Sequence, residues 1–151
     1  MHFMSKAACS TAVALVLAVS SQFALAAETP MTLAGASLVT ADQVKDLQSK
    51  GAPVIDTRVA AEYAEAHIKG AISVPYKEKS AKDVGFDASQ DAFDLAKLPA
   101  DKNAPVVFYC IACECCKSYK ASVMAIKGGH KKVNWFRGGI PEWKAKGLPT
   151  E

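Results

Sequence analysis

VVFYCIACECCKS, residues Val106 to Ser118, runs a short apolar strand into four cysteines packed within seven positions: Cys110, Cys113, Cys115 and Cys116. A lysine and a serine then open a helix-like stretch from about Lys117 to Lys127. There Tyr119, Val123 and Ile126 recur at i, i+4 and i+7 and predict one apolar face. Gly128 and Gly129 end it. A strand, a thiol-rich loop and a helix in this order set both the fold class and the chemistry.

Outward from this stretch the alternation repeats. Pro53 to Thr57, PVIDT, reads as a buried strand ending in an aspartate, and a helix over Val59 to Ala66 follows it directly. Ala71 to Val74 is a further short strand closed by Pro75. Val133 to Phe136 is the last strand, before a Gly138-Gly139 turn and a terminal helix over Ile140 to Lys146. Upstream, Ser37 to Val39 predicts a short edge strand. Thr40 caps a helix over Ala41 to Ser49, with Val44 and Leu47 facing in and Gly51 as the stop. Tyr76 to Leu98 is polar and irregular, with helical turns expected around Ala88 to Ala96. Strands alternating with helices at this spacing argue for a parallel α/β sheet with helices on both faces. Ligands of such sheets bind at the carboxyl ends of the strands, where Cys110 sits.

The 151 residues carry 18 Lys and Arg against 15 Asp and Glu, a formal net charge of +3. Lys6, the apolar run from Ala7 to about Leu17 and the small-x-small site Ala24-Leu25-Ala26 read as a secretory signal peptide, residues 1–26, which takes Cys9 with it. A periplasmic location is therefore expected. Residues 27–36 read as a mobile lead, and 37–151 as one domain with room for a single core. Without Lys6 the formal charge is +2, too small and too scattered to argue for nucleic acid or a membrane surface. No other apolar run approaches membrane-spanning length.

In an oxidising compartment an even cysteine count usually means structural disulfides. Here any internal bridge closes only a tiny loop and gains little stability in the chain-entropy account. Adjacent Cys115 and Cys116 are the worst candidates, with Cα atoms ~3.8 Å apart, below the usual disulfide span. The cluster reads as reactive or ligand-binding. A strand, a short loop and a helix N-terminus form an anion cradle, and a cysteine held there is driven toward thiolate. A thiolate serves sulfur transfer, disulfide exchange and phosphate-ester attack alike, so the residues alone do not choose the reaction. A structural zinc draws ligands from two segments and none pairs with this one, although converging thiolates could hold a soft ion such as Cu(I). No metal ligand is assigned and no cofactor is expected.

Four pieces stand in order: PVIDTR with Glu62-Tyr63, HIKGAISVP at His67 to Pro75, VVFYC at Val106 to Cys110, and RGGIPEW at Arg137 to Trp143. With these the chain resembles a single rhodanese (sulfurtransferase) domain of the secreted type, from about Leu38 to Pro149. The resemblance implies a rhodanese-like α/β domain with a central, mainly parallel sheet flanked by helices. It also implies a persulfide on Cys110, loaded from a donor such as thiosulfate and unloaded to a thiol or cyanide. The acceptor thiol belongs to a small molecule or a partner protein.

Secreted relatives with a second cysteine five positions after the first make Cys115 a resolving thiol. The loop residues Ile111, Ala112, Cys113, Glu114, Cys116 and Lys117 would line the sulfur site. Cys113 and Cys116 have no counterpart in the family. The loop is about two residues longer than the common form and lacks its basic residue. It also lacks the arginine that related phosphatases use, so phosphatase activity is not expected. Glu114 places a negative charge where an anionic donor arrives, with Lys117 nearby, and Arg137 is the candidate to supply the missing positive charge.

Asp56 and Arg58 read as a buried pair tying a strand end to neighbouring loops, and His67 as a hydrogen-bonded turn residue. His130 is expected to be exposed, and Trp135 and Trp143 to pack in the core. Gly138 and Gly139 let the backbone pass close to the cysteine loop. Two other functions use the same cysteines: a thiol–disulfide redox relay without stable sulfane sulfur, and a non-catalytic module binding a soft metal or sulfide.

Overall fold

The computed structural model describes residues 28–112 and 114–151. The signal segment expected over 1–26, Ala27 and Cys113 lie outside the described residues. Five strands form one parallel sheet in the order β1-β5-β4-β2-β3, with β1 Ala36–Leu38, β2 Val54–Asp56, β3 Ile72–Ser73, β4 Val106–Tyr109 and β5 Val133–Phe136. Among the described residues four α-helices accompany the sheet: α1 Ala41–Ser49, α2 Ala60–Glu65, α3 Cys116–Lys127 and α4 Gly139–Ala145. The fold class expected from the sequence is the one observed.

The central strand explains how the layers separate. All four β4 residues are fully buried, and successive side chains point to opposite faces. Val107 and Tyr109 join Val44, Val54, Phe136, Ile140 and Trp143 under α1 and α4. Val106 and Phe108 join Ile55, Val74, Leu98, Ala121 and Ala125 under α3. Both tryptophans are core residues, as expected. α1 carries a capping box, with Thr40 accepting from the Gln43 N–H and the Gln43 side chain accepting from the Thr40 N–H.

Several expectations need correction. On α3, Tyr119 is buried as expected and its ring meets Trp135 edge-on at 5.4 Å, but Val123 and Ile126 are only partly buried. The small residues Ser118, Ala121, Ser122 and Ala125 are buried alongside Tyr119. His130 is buried at 2 % exposure, because Gly129 turns back at φ 92° and the His130 N–H donates to the Ala125 carbonyl. Within the lead, Thr29 is buried and its carbonyl accepts from Arg137 Nη2 at 2.7 Å. The helical turns expected around Ala88 to Ala96, by contrast, are present as two 3₁₀ turns, Ala88–Gln90 and Leu95–Lys97.

The strand ends are tied by a buried polar network. Arg58 grips the Asp56 carboxylate through Nε (3.0 Å) and Nη2 (2.6 Å), and Nη2 also donates to the Ala66 carbonyl at 2.7 Å. Tyr109 donates its hydroxyl proton to Asp56 Oδ2 at 2.5 Å and accepts from the Ile68 N–H at 3.2 Å. Burial opposes the charge on Arg58, but the bonds to Asp56 hold its pKa above the usual value. Burial, followed by the Asp56 charge, pushes the Tyr109 phenol far up. Asp56 and Arg58 thus occupy the structural place read from the sequence. Asp56→Asn leaves the Arg58 charge buried without its counter-ion. The expected loss is about 3 kcal/mol of stability, the lower range for breaking a buried pair, read as a lower urea midpoint at unchanged slope.

Candidate functional site

β4 ends at Tyr109, and Cys110 is the next residue, buried at 1 % exposure. Two contacts from the start of α4 fix its backbone. The Ile140 N–H donates to the Cys110 carbonyl at 3.1 Å. Gly139, at φ 60°, passes so close that a Cβ there would collide with the Cys110 carbonyl and lie 2.9 Å from that of Ile111. The expected close approach falls at Gly139, where both the positive φ and the space demand glycine. At Gly138 an added Cβ meets mainly the Glu142 side chain instead.

The loop rises from Cys110 and returns at Cys115, the N-cap residue of α3, with the Cys115 N–H donating to the Ala112 carbonyl at 3.0 Å. A disulfide joins Cys110 to Cys115 across Cα atoms 6.3 Å apart. The first turn of α3 therefore presents its unbonded N–H groups and positive dipole end beside this sulfur pair. Cys116 is a free, buried thiol. Burial pushes its pKa up, the Glu78 carboxylate adds to the rise, and Lys120 and Lys82 oppose it. Cys116 is accordingly held as the neutral thiol.

A cavity of about 320 Å³ opens over the loop. Ile111, Ala112, Glu114, Cys115, Cys116 and Lys117 line it, so the structure brings together every described loop residue read as a sulfur-site candidate except Cys110, which lies beneath. Arg137 is not in that lining. Its guanidinium turns to the lead instead, where Glu28 Oε2 lies 3.5 Å away and the Thr29 carbonyl accepts its hydrogen bond, so these acceptors take the charge expected at the loop. His67 stacks on Tyr63 at 3.7 Å and faces the Glu151 carboxylate, away from the cavity lining.

The opposite wall comes from Glu78 and Lys82, which the sequence reading left in an irregular stretch. Lys120, a lysine of α3 with no exposed surface, holds Glu78 in place. Its Nζ lies 2.9 Å from Glu78 Oε2 and 3.7 Å from Asp91 Oδ2, and donates to Ser80 Oγ at 2.8 Å and the Ala81 carbonyl at 2.7 Å. Asp91 accepts from the Tyr76 hydroxyl, both donors of Ser80 and the Lys79 N–H. Burial opposes its charge, yet these hydrogen bonds hold the Asp91 carboxyl well below the usual range. The one signal available in the sequence was the density of charge in KEKSAKD, Lys77 to Asp83.

A family model described as Rhodanese-like domain matches residues 40–146, and the chain belongs to that family. It is 27 % identical over 115 residues to thiosulfate sulfurtransferase 16, chloroplastic, of Arabidopsis thaliana, covering 76 % of this chain and 92 % of that protein. A crystal structure of a Bacillus halodurans protein aligns with a TM-score of 0.59 at 23 % identity, covering 77 % of each chain. The polysulfide-sulfur transferase homodimer of Wolinella succinogenes aligns at 0.54 and 20 % identity, covering 78 % of this chain and 80 % of that one.

Two substitutions test this site. Gly139→Ala forces a left-handed backbone onto a side chain and drives a Cβ into the Cys110 carbonyl. It should cost about 1–3 kcal/mol and shift the amide resonances of residues 110–112. Lys120→Met leaves Glu78 and Asp91 buried without their cation, at an expected cost of about 3 kcal/mol at neutral pH. The Asp91 contribution in the wild type is fully present above the unfolded carboxylate pKa of ~4 and is lost as pH falls through the depressed folded value. Thermal melts of the wild type should therefore show the loss of this contribution only in strong acid.

Proposed function

We propose that this protein is a sulfurtransferase that carries sulfane sulfur as a persulfide on Cys110, taking it from thiosulfate or a similar donor and giving it to a thiol or cyanide. The observation that carries the reading is the position of Cys110: it follows the central strand of a rhodanese-like domain directly, at the N-terminal end of α3. The named activities of the Arabidopsis and Wolinella proteins support the same class of reaction.

In the loading step the Cys110 thiolate attacks the outer sulfur of the donor, and sulfite leaves with the bonding electron pair. The terminal sulfur anion is then held by the positive end of α3. Lys82 and Lys117 at the cavity wall attract the anionic donor, against Glu114 on the same rim. In the unloading step an acceptor thiolate takes the outer sulfur and Cys110 is restored as thiolate.

The Cys110–Cys115 disulfide favours a second reading, a thiol–disulfide relay through the same pair. For either activity we propose export by the 1–26 segment to the periplasm, an oxidising compartment in which such a disulfide persists. With thiosulfate and excess cyanide both present, the reduced protein should form one thiocyanate per sulfite released. Cys110→Ser should abolish both the sulfite release and the thiocyanate formation. Full sulfur transfer by Cys110→Ser would sink the persulfide assignment, and a wild type that forms no thiocyanate would leave the relay.

A further inference from the structure

The two bonded cysteines differ in access. Cys110 is 1 % exposed in the disulfide, whereas Cys115 is partly exposed and lines the cavity. Their Cα atoms lie 6.3 Å apart, within the span of a disulfide. Sulfur carried on Cys110 would therefore sit within reach of a second thiol of the same chain. Cys116 is not that thiol, because it is buried and held neutral.

We infer that the site releases its sulfur as sulfide, with Cys115 as the internal reductant and an external thiol resetting the disulfide through Cys115. This rests on Cys110 being the sulfur carrier. In the releasing step the Cys115 thiolate attacks Cys110 Sγ. A Cys110–Cys115 bond forms, the bond from Cys110 to the outer sulfur breaks, and hydrosulfide leaves with that electron pair and the proton of the Cys115 thiol. The sulfane sulfur is reduced and the two cysteines are oxidised.

The disulfide is the product state of that turnover. In the reset, a thiolate attacks the accessible Cys115 sulfur and Cys110 leaves as thiolate beside the α3 N-terminus, which stabilises it. A second thiol then frees Cys115 and departs as the oxidised disulfide. Summed, thiosulfate and two thiols give sulfite, sulfide and one disulfide. The reductant class is thus a thiol small or extended enough to reach the cavity floor past Ile111, which is 46 % exposed.

The test uses reduced full-length protein freed of reductant and given limiting thiosulfate, with sulfide and intact mass both measured. Wild type should release one sulfide per thiosulfate consumed and end two hydrogens lighter than the reduced chain. Cys115→Ser should release none, and should instead keep one extra sulfur that cyanide removes, which also shows that the variant is folded and loaded. Wild type that keeps the extra sulfur, or Cys115→Ser that releases sulfide as wild type does, overturns this inference and leaves the carrier reading standing. A Cys115→Ser protein that never gains sulfur overturns the carrier reading, and the inference with it. During reset by glutathione, an acid quench should trap glutathione on Cys115. Its attachment to Cys110 would refute the direction of attack.

Discussion

An ammonium group with no contact to water must find its whole shell of acceptors in the protein, and Lys120 is that group here. It finds them in Glu78, Ser80, Ala81 and Asp91, all from a stretch with almost no regular structure of its own. The stretch is ordered because Asp91 gathers the donors of Tyr76, Lys79 and Ser80 on one side, and Lys120 gathers its acceptors on the other. Lys120 belongs to α3, the helix that begins where the cysteine loop ends. One buried charge therefore fixes the cavity wall and the loop's return point relative to each other.

The loop is held unequally at its two ends. At Cys110 the backbone is gripped by the Ile140 N–H and by the bare α-carbon of Gly139. The preceding Tyr109 is locked through Asp56 to Arg58 and to the turn after α2. At Cys115 the return of the loop is held by the N–H bond to the Ala112 carbonyl, with the disulfide as the crosslink. A buried sulfur and a partly exposed one, bonded to each other, suit sulfur exchange. The buried sulfur keeps its place in the helix field while the other meets what enters the cavity.

How far the sequence reached follows from these contacts. The strands were legible because their residues are β-branched or aromatic and buried, and α1 because Thr40 and Gln43 make a local capping box that needs no tertiary partner. Cys110 and Cys115 were legible from strand position and family resemblance. Lys120 was not, because a lysine on a helix reads as solvent-facing until a second segment supplies its acceptors. The same blindness hid the face of α3, where Ser118, Ala121, Ser122 and Ala125 pack closely without registering as apolar. Arg137 and His130 were misplaced for a related reason: their surroundings are set by residues 28–29 and by Lys102, far away in the chain.

Three described thiols within seven positions pose a problem of selectivity, and the structure answers it without a further device. A Cys115–Cys116 bond is disfavoured by backbone reach, since adjacent Cα atoms lie ~3.8 Å apart, below the disulfide range. Cys116 is also withdrawn electrostatically. Burial and the Glu78 carboxylate both resist its ionisation, and together they outweigh the opposing charges of Lys120 and Lys82. A thiol held neutral neither attacks nor competes, because exchange proceeds through thiolates. The Glu78 carboxylate at the cavity wall thus also helps to narrow the exchange chemistry to Cys110 and Cys115 among the described cysteines.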